Sequence, residues 1–130
     1  MNFEELDELL PAGLHDTEVL RVEEHFQERR VRMLVEFWWP TGEEIEGWKR
    51  AWLTLEGIQR WVWEFCSVYE DSWGGPLSID GGKADPELLE KHADIYRDLE
   101  GELLKGWMFV SNWNAYLYWA GTSISVEFTD

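Results

Sequence analysis

His15 and Asp16 are the adjacent residues whose types come nearest to a metal site. A histidine and a carboxylate at the entry to a strand are donors that zinc accepts, but a zinc site needs at least three protein ligands at sensible spacing. The other histidines, His25 and His92, do not supply that spacing. We therefore interpret Asp16 as the cap of a turn and predict that this pair is structural, with no metal bound.

The glycine-rich segment 81–83, Gly-Gly-Lys, is a second place to look for chemistry. A phosphate-binding loop requires Ser or Thr after the lysine, whereas Ala84 follows here. The neighbouring acids Asp80, Asp85 and Glu87 do not have the spacing of a calcium-binding EF-hand. We interpret segment 81–83 as a flexible surface loop and predict no cofactor.

Carboxylates are too numerous to indicate catalysis. With 27 acidic residues in the chain, some pair at the spacing of a glycosidase is inevitable. The serines lack the glycine pattern of a nucleophile elbow. The sequence therefore predicts a protein that is not an enzyme, with no catalytic residue.

Tryptophan is the unusual residue type, with 10 in 130 positions. Each tryptophan carries about 200 Å² of surface and a polar N–H group. Trp38 shares a predicted strand face with Glu36 and Arg32, so we expect it to be half exposed. Five others are more than a core of this size can bury. The sequence does not decide whether they lie in the core, in a ligand pocket or at an interface: Trp48, Trp52, Trp61, Trp63 and Trp73.

Two acidic clusters flank tryptophans and form the candidate partner-binding surface. The residues predicted to form it are Glu43, Glu44, Glu46, Trp38, Trp48, Glu70, Asp71 and Trp73. Charge would steer a partner to such a surface, and buried tryptophans would anchor it. The alternative is that both clusters are solvated loops.

The first half of the chain predicts a short helix followed by strands. Asn2 and Glu5 have capping-box spacing ahead of an apolar stripe. Residues 15–26 and 30–39 alternate as two strands, and we expect Leu20, Val22 and Phe26 to share the buried face of the first. Residues 48–55 carry apolar side chains on both faces, which indicates a central strand or a second buried face. Residues 58–69 fit a strand or a helix, and their β-branched and aromatic content favours a strand.

The second half predicts one longer helix and a group of strands. Segment 72–82 is interpreted as an irregular connection. Asp85 and Pro86 supply an N-cap and a first helical residue, which predicts a helix over 85–100. Strands follow over 106–111, 114–120 and 123–128. The expected fold class is therefore α+β: an antiparallel sheet of about five or six strands, with a short N-terminal helix and the longer helix packed on one face.

Length and charge set the remaining expectations. The 130 residues suit a single acidic domain spanning 1–130. The formal net charge of −16 disfavours nucleic acids and anionic membranes as partners and favours a basic protein. Cys66 is the only cysteine, so we expect a reducing, cytoplasmic location without an internal disulfide. Monomer and homodimer both remain open.

Three segments together resemble a known group of proteins. The strand entry at residues 14–20, Leu-His-Asp-Thr-Glu-Val-Leu, the paired run at 29–34, and Ser-Asn-Trp-Asn-Ala-Tyr at 111–116 are similar to small bacterial proteins that include immunity proteins of polymorphic toxin systems. Those proteins open with an "HDAE"-like strand, and here Thr17 replaces the usual alanine. The resemblance implies a cytoplasmic protein that neutralises a toxin, and it implies no particular site residues.

These observations lead to one expected function and one alternative. The expected function is a neutraliser that blocks a basic toxin or enzyme through an acidic, tryptophan-containing surface. The alternative is a small-molecule binding domain with an aromatic-lined pocket.

Overall fold

The computed structural model describes residues 1–9, 17–41, 44–65, 77–83, 90–110 and 115–129. These residues form one helix, α1 (Phe3–Leu9), and eight strands: β1 (Thr17–His25), β2 (Arg30–Thr41), β3 (Glu44–Glu56), β4 (Arg60–Phe65), β5 (Leu77–Lys83), β6 (Leu104–Val110), β7 (Ala115–Gly121) and β8 (Ser123–Thr129). Within them, no helix is long and apolar enough to cross a membrane.

The eight strands form one sheet in the order β4-β7-β6-β5-β1-β2-β3-β8. All neighbouring strands run antiparallel, as predicted. The predicted α+β class is wrong, because the protein is mainly β. The expected count of five or six strands is also too low.

The sheet folds over so that its two halves face each other. One core cluster contains Val35 and Leu53 from β2 and β3, together with Met108 and Trp119 from β6 and β7. Along β2, buried residues alternate with partly exposed ones, as the sequence predicted. Sheet halves that cover each other's apolar faces in this way remove both from water.

The two halves join at a corner where two chain segments bend together. β3 passes into β4 through residues 57–59, and β7 passes into β8 through Thr122 alone. The Thr122 N–H donates to the Glu56 carbonyl oxygen at 2.8 Å, and the Gln59 N–H donates to the Ala120 carbonyl oxygen at 2.9 Å. These bonds continue the ladder of hydrogen bonds around the bend.

The N-terminal helix has the capping box predicted from Asn2 and Glu5. The Glu5 N–H donates to the Asn2 side chain at 2.8 Å, and the Asn2 N–H donates to the Glu5 carboxylate at 2.8 Å. Leu6 is buried in the main core, so the helix contributes one apolar side chain to the space between the sheet halves.

A β-bulge corrects the predicted face of β1. The pairing with β2 shifts between Val19 and Arg21, and an extra residue at this point moves the following side chains to the opposite face. Val19 before the bulge is buried, Leu20 at the bulge is exposed, and Val22 after it packs against the core, so the prediction is confirmed for Val22 and wrong for Leu20. Phe26 lies beyond the strand and is also exposed, contrary to the expectation that it shares the buried face.

β5 corrects the interpretation of segment 81–83 as a loop. It lies between β1 and β6, with Ile79 opposite Thr17 and Val110. The pairing shifts between Ile79 and Gly81. Glycine is a poor strand former in isolation, but a bulge within a sheet accommodates it.

The predicted helix over 85–100 is not present in its described part. Residues 84–89 lie outside the described residues, and only Glu90 and Lys91 are α-helical. A 3-10 turn follows at Ala93–Tyr96, Arg97 is extended, and Asp98 has a φ of 66°. A positive φ at a non-glycine residue ends any right-handed helix, so the chain continues as an irregular strap, residues 90–103.

The strap is fastened over the outer face of the second half of the sheet. Arg60 donates to the carbonyl oxygens of Ile95 and Arg97, both at 2.8 Å. Gln59 exchanges two longer hydrogen bonds with the backbone of Glu100. Apolar side chains of the strap complete a second buried cluster with β4, β6 and β7, formed by Tyr96, Tyr118 and Ala120 and joined by Val62, Ile95, Leu99, Leu103, Trp107 and Tyr116.

Candidate functional site

Trp38 and Trp48 form a cross-strand pair on the outer side of the first half of the sheet. They are opposite each other in the register of β2 and β3. Their rings meet edge to face, with centroids 5.6 Å apart and planes at 76°. Trp48 is 49% exposed, so a large aromatic surface faces solvent at the end of this hairpin.

Trp52 forms a second aromatic position on the same side. It lies opposite Leu34 on β2, and the Arg32 guanidinium lies 4.2 Å from its ring centroid. Glu23 on β1 approaches the same guanidinium at 3.7 Å. The outward side chains of β2 and β3 therefore form one surface, here called the Trp face: Arg32, Leu34, Glu36, Trp38, Trp48, Arg50 and Trp52.

The charges on the Trp face are balanced by pairing. Arg50 donates to the Glu36 carboxylate at 2.7 Å, and Arg32 lies beside Glu23. Exposed ion pairs of this kind contribute little stability, about 0–1 kcal/mol. Each of the two arginines of the Trp face lies beside one carboxylate. The net negative charge of the protein therefore lies outside the Trp face.

A shallow cleft of about 510 Å³ opens beside Trp48. Its lining comprises Glu36, Trp48, Lys49, Arg50 and Thr129. This lining includes one aromatic ring and no histidine, cysteine or serine that could act as a nucleophile or shuttle a proton. A second cleft, of about 490 Å³, is lined by residues 101–105 and Thr122 and has no aromatic side chain. Neither cleft is the aromatic-lined pocket of the alternative function.

A second aromatic group lies under the strap and has a packing role. Tyr118 contacts Tyr96 and His92 with ring centroids 6.5 Å and 5.1 Å apart. Tyr96 and Tyr118 are both buried, and burial raises the pKa of the Tyr96 hydroxyl, with Tyr118 adding to the effect. Because the strap covers these rings, we interpret them as core and not as a binding surface.

The structure brings together only part of the predicted partner-binding surface. Trp38 and Trp48 are adjacent, and Trp38 is half-buried as expected. Glu44 and Glu46 lie at the start of β3, where only the backbone is described. The remaining predicted members lie outside the described residues: Glu43, Glu70, Asp71 and Trp73.

Most of the other candidate groups found in the sequence lie outside the described residues. Asp80 lies in β5, whereas His15, Asp16, Asp85 and Glu87 fall outside the described residues. No group of three or more His, Cys, Asp or Glu side chains that could hold a metal ion occurs in the described part of the chain.

Sequence reasoning missed the contributions of Arg32, Arg50 and Trp52 to the Trp face. The signal was present, because all three occupy outward positions of strands whose opposite positions are apolar. What the pattern lacked was the register, which places Glu36 opposite Arg50 and Leu34 opposite Trp52. Register follows from the hairpin geometry and not from either strand alone.

Comparison of the chain with protein-family models, curated proteins and solved structures gave no match. The resemblance to immunity proteins therefore stays a prediction.

Proposed function

We propose that this chain is a cytoplasmic protein-binding neutraliser that blocks a basic partner, such as a toxin or another enzyme, through the Trp face. The observation that supports the proposal is the Trp38–Trp48 pair of β2 and β3, which leaves about half of Trp48 exposed. We propose binding and not catalysis as the activity.

The composition of the Trp face suits a protein interface. Tryptophan and arginine are the residue types most enriched at interface hot spots, and the Trp face has three tryptophans and two arginines. Trp48 can bury further aromatic area against a partner without rearrangement of the hairpin. Because Arg32 and Arg50 already have carboxylate partners, a partner that covers the face does not leave their charges unpaired.

The net charge of −16 would act before contact is made. An acidic protein attracts a basic partner over about a Debye length, roughly 8–10 Å at physiological salt, and such attraction mainly raises the association rate. The charges on the Trp face are paired. We therefore assign long-range attraction of the partner to acidic residues outside this face, and binding of the partner to the tryptophans on it. Glu44 and Glu46, at the start of β3, are acids that we assign to steering.

Co-expression with the product of the neighbouring reading frame tests the proposal. We expect the chain to restore growth of cells that produce that protein, and to bind it as purified protein in calorimetry. Trp48→Ala and Trp38→Ala should each weaken binding by about 2 kcal/mol, or roughly 30-fold. Phe26→Ala is the matched control, since Phe26 is an exposed aromatic residue outside the Trp face; it should bind like the wild type.

Reversing the charge of the acidic residues distinguishes their effect on the association rate from the effect of the tryptophans on affinity. Glu43→Lys, Glu44→Lys and Glu46→Lys together should lower the association rate and flatten its salt dependence, while the dissociation rate changes little. Wild-type affinity in folded Trp38 and Trp48 variants, or no rescue of growth by the wild-type chain, would refute the proposal.

A further inference from the structure

β8 is the last strand on one side of the sheet, and its outer edge already pairs at one residue. The Met1 nitrogen donates to the Ile124 carbonyl oxygen at 2.7 Å, and the Ile124 N–H donates to the Met1 carbonyl oxygen at 3.3 Å. Both main-chain groups of Ile124 therefore point away from β3.

The strand geometry assigns the same direction to Val126. Main-chain groups of residues two apart point the same way along a strand, and the register of β3 and β8 runs without a shift from Ser123 to Thr129. No hydrogen bond from the Val126 main chain is formed with any described residue outside β3. Val126 thus presents a donor and an acceptor at the sheet edge.

Apart from the Met1 contact at Ile124, the described residues give this edge little of the usual protection against strand addition. Sheet edges are commonly blocked by lysine, proline, a bulge or a covering segment. β8 reads Ser-Ile-Ser-Val-Glu-Phe-Thr, with no lysine, no proline and no bulge against β3. Its single charged residue is Glu127, which is exposed.

We propose that the outer edge of β8 receives an extended segment of the basic partner, which adds to the sheet as a further antiparallel or parallel strand. This inference rests on the proposed function and names the element of the partner that is bound. Added strands gain affinity from main-chain hydrogen bonds and specificity from alternate side chains. The added strand would extend the Trp face by one strand beyond β8.

Electrostatics favours a basic segment over a second copy of this chain as the strand that adds to β8. Glu127 has no ion-pair partner among the described residues, and it lies opposite Trp52 in the register with β3. A lysine or arginine on the added strand beside Glu127 would form a favourable cross-strand pair. Pairing two copies along β8 would instead join two chains that each carry a charge of −16.

Val126→Pro tests the outward main-chain group of β8 separately from the pairing of β8 with β3. Proline removes the outward N–H of Val126 and leaves the hydrogen bonds between β8 and β3 in place. Val126→Ala is the matched control, because it loses similar packing but keeps the N–H. Thermal unfolding of both variants checks that they are folded.

The probe is an acetylated and amidated peptide of sequence Lys-Val-Lys-Val-Lys-Val-Lys, with a Glu-Val peptide of the same length as the charge control. We expect the lysine peptide to bind the wild-type protein and to slow exchange of the Val126 amide proton. Val126→Pro should weaken binding at least about tenfold relative to Val126→Ala, as expected for lost main-chain hydrogen bonds. Absence of binding, equal binding by the two variants, or equal binding of the glutamate peptide would overturn the inference.

Glu127→Lys provides a second test that does not depend on the proline variant folding. It keeps every main-chain group and should reduce the preference for the lysine peptide over the glutamate peptide, because the side chain at position 127 then repels a lysine on the added strand while the protein as a whole stays acidic. An unchanged preference would also overturn the inference. With the cognate partner, wild-type affinity of Val126→Pro together with weak binding by Trp48→Ala would refute the edge inference alone and leave the proposed function standing.

Discussion

The Tyr96 hydroxyl donates a hydrogen bond of 2.8 Å to the carbonyl oxygen of Gly106, joining the strap to β6 in a buried setting. Tyr96→Phe should lower the free energy of unfolding by about 1 kcal/mol near neutral pH, the usual net value of such a bond. Tyr116→Phe, which also removes a hydroxyl from this aromatic group, is the matched control and should cost less. Urea unfolding measures both.

The same hydroxyl predicts a pH dependence of stability. Burial raises the pKa of Tyr96 above its ordinary value of 10.0, so above that pH the unfolded chain loses a proton that the folded chain keeps. Wild-type stability should therefore fall as pH rises from about 10, by up to ~1.4 kcal/mol per pH unit. Tyr96→Phe should remove this part of the decline. Parallel stability curves for the two proteins between about pH 9 and about pH 11 would contradict the assignment.

Arg60 is predicted to hold the strap in place. Replacement of Arg60 by methionine removes the bonds to the Ile95 and Arg97 carbonyl oxygens while keeping most of the apolar stem. We expect faster amide exchange in the strap, with little change in β2 and β3. Arg97→Met is the control, because it removes an exposed arginine of the strap whose side chain makes none of these bonds. Equal exchange in the two variants would show that the arginine bonds do not hold the strap.

Gly57 is predicted to be required at the corner between β3 and β4. Its φ is +62°, and a Cβ atom there would overlap the Thr122 side chain. Gly57→Ala should destabilise by more than the ~1–2 kcal/mol expected from backbone strain alone. Gly101→Ala is the control for strain, since Gly101 has a φ of +73° with nothing near the added Cβ.

A double variant tests whether overlap is the cause. Gly57→Ala combined with Thr122→Ala should recover most of the excess loss, because the two closest overlapping atoms, Oγ1 and Cγ2 of Thr122, are removed and only its Cβ remains. If the double variant is no more stable than the sum of the single changes predicts, the overlap does not explain the cost.

Local patterns in the sequence predicted the elements that depend on neighbouring residues. The capping box of Asn2 and Glu5 is completed within four residues, so its two hydrogen bonds could be predicted without the rest of the fold. The alternation along β2 likewise identified the buried face with Val35. The position of Trp38 on the opposite, half-exposed face followed from the same pattern.

Elements that depend on distant residues could not be predicted in this way. β5 contains Gly81 and Gly82 and becomes a strand because β1 and β6 pair with it on both sides. The strap has a helical pattern of apolar residues, but its carbonyl groups bond to Arg60, which lies more than 30 residues earlier. The Trp face depends on the register of two strands, which neither strand encodes alone.

The last prediction contrasts a core tryptophan with a surface tryptophan. Trp119 is 1% exposed and belongs to the main core, whereas Trp48 is 49% exposed. Trp119→Ala should cost about 3–5 kcal/mol of unfolding free energy, because it leaves a large cavity. Trp48→Ala should cost about 1 kcal/mol, mainly the edge-to-face contact with Trp38.

Denaturant unfolding of the two variants checks this contrast, and circular dichroism confirms that each is folded at the start. A small stability cost at Trp48 matters for function, because a tryptophan that contributes little to folding and remains exposed is available to a partner. A cost at Trp48 as large as that at Trp119 would instead assign Trp48 to the fold. In that case its exposure would no longer support the Trp face as a binding surface.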